Sequence, residues 1–173
     1  MKQLRIFPLA LSLAALLFAC DKDDDNDDEI NDRDRSFAMM AAMNNFAEIS
    51  AGQMASSKGE NAGIREFGAM MVMDHTTASQ QLKSIAANRG LYAPDSLDAA
   101  HVRLKDTLED LSGRAFDSVY IHSQVRDHQT AIALFESEIN SGQYSDLREF
   151  ARNTLPKLQM HHHHADSLAN FYR

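Results

Sequence analysis

From Ser36 onward, apolar and small residues recur at spacings of three and four, and nowhere do they alternate with the period of two that a strand requires. The spacing predicts five helices. The first, over 34–57, puts Phe37, Ala41, Asn44, Glu48, Ala51 and Ala55 on one stripe, after which Gly59 and Asn61 supply a stop and a new cap. The second, over 61–88, carries Ile64, Phe67, Met71, His75, Ala78, Leu82 and Ile85 and ends at Gly90. A shorter third piece, over 95–111, shows Leu97, Val102, Leu104, Leu108 and Leu111. The fourth, over 115–141, aligns Ile121, Gln124, His128, Ala131 and Phe135. The fifth, over 145–171, aligns Leu147, Ala151, Leu158, His161, Ala165 and Leu168, with Pro156 inside it, where a lost hydrogen bond and a bend are expected.

Four long helices with a short crossover in the middle of the chain predict an all-α fold, a ferritin-like antiparallel four-helix bundle with a short extra crossover helix. Within it the stripes contain four polar residues, Glu48, His75, His128 and His161, each near the midpoint of its own helix. An unpaired polar group costs about 1 to 3 kcal/mol to bury, so a polar residue on a core stripe asks for a reason. Midpoints of antiparallel helices share one level, and one carboxylate with three imidazoles is a sound donor set for one transition-metal ion, whether zinc, copper, iron or manganese. The alternative is a structural polar layer that fixes helix register without metal.

Two of these histidines sit in a repeat. Val72-Met73-Asp74-His75-Thr76-Thr77-Ala78 returns 53 residues later as Val125-Arg126-Asp127-His128-Gln129-Thr130-Ala131. Asp74 and Asp127 stand about 100° round the helix from their histidines, at the stripe edge, where each can orient a neighbouring imidazole or serve as an alternative ligand. In the run His161-His162-His163-His164 only His161 falls on the stripe, with His164 one turn later at its margin. Methionines are frequent at Met39, Met40, Met43, Met54, Met70, Met71, Met73 and Met160; thioethers suit copper(I), but at helical spacing they more often fill core. No phosphate loop, Cys-x-x-Cys, nucleophile elbow or His-Glu-x-x-His occurs, so hydrolytic and nucleotide-dependent chemistry have no support.

The N-terminal part is of another kind. Lys2 and Arg5 precede an apolar run over 6–19, too short for an ordinary membrane span and shaped like an export signal. Leu17-Phe18-Ala19-Cys20 resembles the lipobox of bacterial lipoproteins, which makes 1–19 a signal peptide and Cys20, the sole cysteine, the site of lipidation. Residues 20–34 are acid-rich and read as a disordered tether, leaving 35–173 as the domain. The Lys and Asp run after Cys20 is similar to the surface-export signal of Bacteroidetes lipoproteins, which implies an outer-membrane lipoprotein held by its lipid anchor. Loss of Lys2 and Arg5 with the signal takes the formal net charge from -8 to -10, a poor balance for nucleic acid. Protein partners are not legible.

Several segments together carry a family likeness: Ala47-Glu48-Ile49-Ser50-Ala51-Gly52, the stretch from Phe67 to Leu82 with its Asp74-His75, Gly113-x-x-Phe116-Asp117-x-x-Tyr120 leading into the second repeat, and Leu155-Pro156-x-Leu158-x-x-His161-x-x-x-Ala165. They resemble the bacterial domain-of-unknown-function 4142 family, exported proteins placed in the ferritin-like superfamily. The resemblance implies a four-helix bundle over about 35–168 and no assigned activity. Asp-His replaces the superfamily's Glu-x-x-His on both central helices, which argues against the usual di-iron chemistry. The expected role is therefore metal binding or stress protection in the envelope, with a structural envelope module as the first alternative and a metal-dependent oxidoreductase as the second.

Overall fold

The computed structural model describes residues 29–172; the expected signal peptide, Cys20 and most of the expected tether lie outside the described residues. Five helices follow one another: α1 (Asp32–Lys58), α2 (Ala62–Arg89), α3 (Ala99–Asp110), α4 (Gly113–Ser141) and α5 (Ser145–Ala169), with a closing 3-10 turn at Asn170–Tyr172. The described residues contain no strand. Among them no helix is long and apolar enough to cross a membrane.

The helix ends follow local chemistry. Asn31 caps α1, its side chain accepting from the Asp34 amide while the Asp34 carboxylate accepts from the Asn31 amide. Gly90 closes α2 in the left-handed region at φ 62, and the following Leu91 amide donates back to the Ala86 carbonyl at 2.9 Å. The third helix starts at Ala99 rather than 95 because Asp98 takes the cap position, accepting from the amides of Ala100 and His101. Pro156 lies inside α5, exposed, and the helix runs on through it.

α1 packs on α2 and α4 on α5, while α1 also meets α4 and α2 meets α5. The core divides into two apolar halves. One gathers Phe37 and Ala41 of α1, Leu82 of α2, Phe135 of α4 and Phe150 of α5; the other gathers Ala55 of α1, Phe67 and Met71 of α2, Tyr120 and Ile121 of α4 and Ala165 of α5. Each long helix therefore passes through both halves, and neighbouring helices pass through them in opposite order. In the first half Phe135 stands edge-on to Phe37 with centroids 5.0 Å apart, and Phe150 closes the trio at 5.8 Å from Phe135. Burying each such ring contributes about 2 to 3 kcal/mol.

Two buried aspartates join the helix pairs. Asp117, at the start of α4, accepts from the amides of Glu60 and Asn61 in the turn between α1 and α2. Asp34, at the start of α1, accepts from the amides of Gln143 and Tyr144 in the turn between α4 and α5. Charge content had assigned residue 34 to the tether. Residues 32–34 are instead helical and Asp34 is fully buried, because the turn's free amides supply the partners that a solvated acid would otherwise find in water. On α1 and α2 the backbones touch: a methyl group at Gly52 would meet the Gly68 carbonyl at 2.8 Å, and one at Gly68 would meet the Gly52 carbonyl at 2.8 Å.

Candidate metal centre

Between the two apolar halves lies one polar layer, made by Asn45 and Glu48 of α1, His75 of α2, Gln124 and His128 of α4 and His161 of α5, all buried. Its position follows from sequence spacing. His75 lies four residues after Met71 and three before Ala78; His128 lies four after Gln124 and three before Ala131. These intervals keep each imidazole on the stripe whose other members fill the core.

The three rings converge. Their centroids are 5.7 Å apart for His75 and His128, 5.5 Å for His75 and His161, and 5.3 Å for His128 and His161. One nitrogen from each lies within 4.8 Å of the other two. The remaining nitrogen of each ring faces an oxygen. His75 Nδ1 lies 2.9 Å from Asn45 Oδ1, His128 Nδ1 lies 3.0 Å from the Gln124 carbonyl, and His161 Nε2 lies 2.9 Å from Asp74 Oδ2. A carbonyl or carboxylate oxygen only accepts, so each of these nitrogens carries the proton and donates.

That assignment leaves three bare lone pairs pointing inward, on His75 Nε2, His128 Nε2 and His161 Nδ1. The last two are 3.4 Å apart, close to the roughly 3.3 Å that separates two imidazole nitrogens sharing a tetrahedral ion at about 2.05 Å. His75 Nε2 is buried with no hydrogen-bond partner among the described residues. Two lone pairs facing each other repel unless a cation stands between them. Burial holds all three imidazoles in the neutral form that metal binding requires: it lowers His75 well below the usual histidine range, pushes His128 down to about 3, and lowers His161 despite the hydrogen bond to Asp74.

The expected ligands and their neighbours separate at this point. Glu48 lies in the layer but outside the group of three, its Oε1 3.7 Å from the outer nitrogen of His128. Burial, with the nearby charge of Asp127, pushes its carboxyl up to about 8, against the pull of a Gln124 hydrogen bond. Burial thus favours the protonated form of Glu48. Asp74 holds His161 on one oxygen and the Lys157 ammonium on the other, both at 2.9 Å; burial would raise this carboxyl, but Lys157 and His161 outweigh it and hold it below its usual range. Asp127 lies near His101 and Asp98 of the α3 start, outside the group of three, and burial raises it. His164 is exposed and stands edge-on to Phe67 at 5.3 Å.

Asn45, which orients His75, had not been singled out, since the α1 stripe was drawn through Asn44. The signal was present: Asn45 lies four residues after Ala41 and three before Glu48.

Among solved structures, the fold is similar to a crystal structure of a DUF305 fragment from Deinococcus radiodurans, with a TM-score of 0.72 and 10% sequence identity over 82% of this chain and 97% of that one. No curated protein matches the chain. The family described as Domain of unknown function (DUF4142) matches residues 21–168, nearly the whole of the described domain. The chain belongs to the DUF4142 family.

Proposed function

We propose that this protein is an exported, lipid-anchored envelope protein whose ferritin-like four-helix bundle binds one transition-metal ion through His75, His128 and His161. The observation that carries the metal reading is the outward fixing of all three rings: Asn45, the Gln124 carbonyl and Asp74 each take an outer N–H, so that three lone pairs face one point. Three neutral nitrogen donors with no thiolate suit zinc, copper(II), iron or manganese, and a bound ion would supply positive charge at the middle of an otherwise apolar core. Glu48, with its Oε1 3.7 Å from the outer nitrogen of His128, stands beside the three donors. The envelope assignment is supported by Lys2, Arg5, the apolar run over 6–19 and the Cys20 motif.

A structural polar layer without metal is the second reading, and the contact between His128 Nε2 and His161 Nδ1 at 3.4 Å is the observation in its favour. For that contact to be a hydrogen bond, one ring must carry two protons, which burial opposes. Metal analysis of the untagged domain after equilibration with each ion decides between the readings. The expected result is about one equivalent, lost in His75→Ala and in His128→Ala and kept in His163→Ala. Full binding in both core variants would assign the ion to the surface histidine run and overturn the reading.

A further inference from the structure

We propose that the ion reaches the three histidines through the groove between α1, α3 and α4, passing Asp127 and His101, and not along the seam between α2 and α5. The proposal rests on the metal reading above. Two hollows lie on the α1–α4 side of the polar layer. The inner one, of about 10 Å³, has Glu48, His75 and His128 among its walls, together with Asn44, His101 and Asp127. The outer one is a wide groove of about 950 Å³, and the same Asp127 and His101 form its floor. Asn44, Asp127 and His101 line both hollows and so stand between open groove and buried layer. The inner hollow has room for about one water, and four of its wall residues offer buried polar atoms without a hydrogen-bond partner among the described residues, Asn45 Nδ2, Glu48 Oε2, His75 Nε2 and His101 Nδ1, the last 3.0 Å from the Asp98 carboxylate.

Charge distinguishes the two approaches. The groove presents the carboxylates of Asp98 and Asp127 against a single arginine, Arg126. Its opposite wall carries the thioethers of Met39, Met40 and Met43, which give a borderline or soft cation weak, exchangeable contacts. On the α2–α5 side the first group met is the half-exposed ammonium of Lys157, which already occupies the outer oxygen of Asp74. That ammonium repels a cation, and Asp74 behind it is committed to His161. Like charge closes one seam while opposite charge and free volume open the other.

Stopped-flow loading of the metal-free full-length protein with cobalt(II), followed by its visible absorption, tests the route. Ala133→Trp fills the groove from an exposed position on its wall, and Asp127→Asn removes the charge at the partition without changing its size. Both are expected to slow loading about tenfold while the final absorption stays that of one ion in a nitrogen site; Lys157→Met on the other seam, which lifts the like charge there, is expected not to slow loading. The Asp127→Asn effect should shrink as salt rises. Circular dichroism checks that Ala133→Trp is folded, and Asp127→Asn carries the test alone if it is not. Uptake by the wild type with unchanged rates in the groove variants overturns the route and leaves the site standing. No uptake by the wild type overturns both.

Discussion

Asp74 and Asp127 occupy the same place in a repeated segment, yet they enter opposite environments. Asp74, on α2, faces α5 and finds His161 and Lys157, so its charge is used twice, once to fix an imidazole and once in an ion pair. Asp127, on α4, lies beside His101 and Asp98 at the start of α3, with Glu48 of α1 near enough to feel its charge. Burial first, and then the charge of Asp127, push the Glu48 carboxyl up to about 8. The repeat reproduces the position of a histidine; the neighbouring helix decides what the acid beside it does. One half of the layer becomes a held imidazole, the other a buried acid next to a hollow.

The largest expected effect comes from breaking the productive half. Asp74→Asn removes the charge that orients His161 and should weaken metal binding by about 10- to 100-fold, whereas Asp127→Asn should cost at most about threefold, the screened Coulomb share of one uncoordinated charge. Competition titration against a chelator reads both; equal losses would erase the asymmetry. Next in size is a control pair of like charges far from the rings, Asp34 with Glu138. Burial first, and then Asp34, push Glu138 up to about 8, with Arg33 and Arg148 opposing. A carboxyl raised in the folded state stabilises it fully below its unfolded value near 4.5, and that contribution is lost as pH rises toward 8. Glu138→Gln, which stays neutral, should flatten this decline in denaturant melts of the metal-free protein between those values. A slope identical to that of the wild type would show that the buried acid does not hold its proton. The smallest effect belongs to Lys157→Met: half in solvent, its pair with Asp74 should contribute about 0.5 kcal/mol to stability. A loss several times larger, measured by urea unfolding, would mean that the ammonium and not the carboxylate holds His161 in place.

How much of this was legible in the chain depends on what each residue answers to. The histidines were legible because burial obeys helical spacing, and Phe67, Met71, His75, Ala78 and Leu82 lie on one face whatever surrounds them. The all-helical class was legible for the same reason. Glu48 was placed at the correct depth, but whether it joined the three rings turned on the rotation of α1, which also brings Asn45 and not Asn44 to His75. Spacing alone tolerates that small error of phase; a donor set does not. The difference between Asp74 and Asp127 was not legible at all, because their local sequences agree and only the packing of α5 and α1 separates them. Asp34 was hidden by its company, an acidic run in which a single buried member carries no mark.

Gly52 and Gly68 bring no donor to the layer, yet they govern its dimensions. Their contact lies seven residues from Asn45 on one helix and seven from His75 on the other, two turns or about 10 Å away. A single methyl group at either glycine would act as a wedge at one end of a lever, prising α1 from α2 and drawing His75 back from the other two rings. The bore of the cage is thus set by two residues that have no side chain to see.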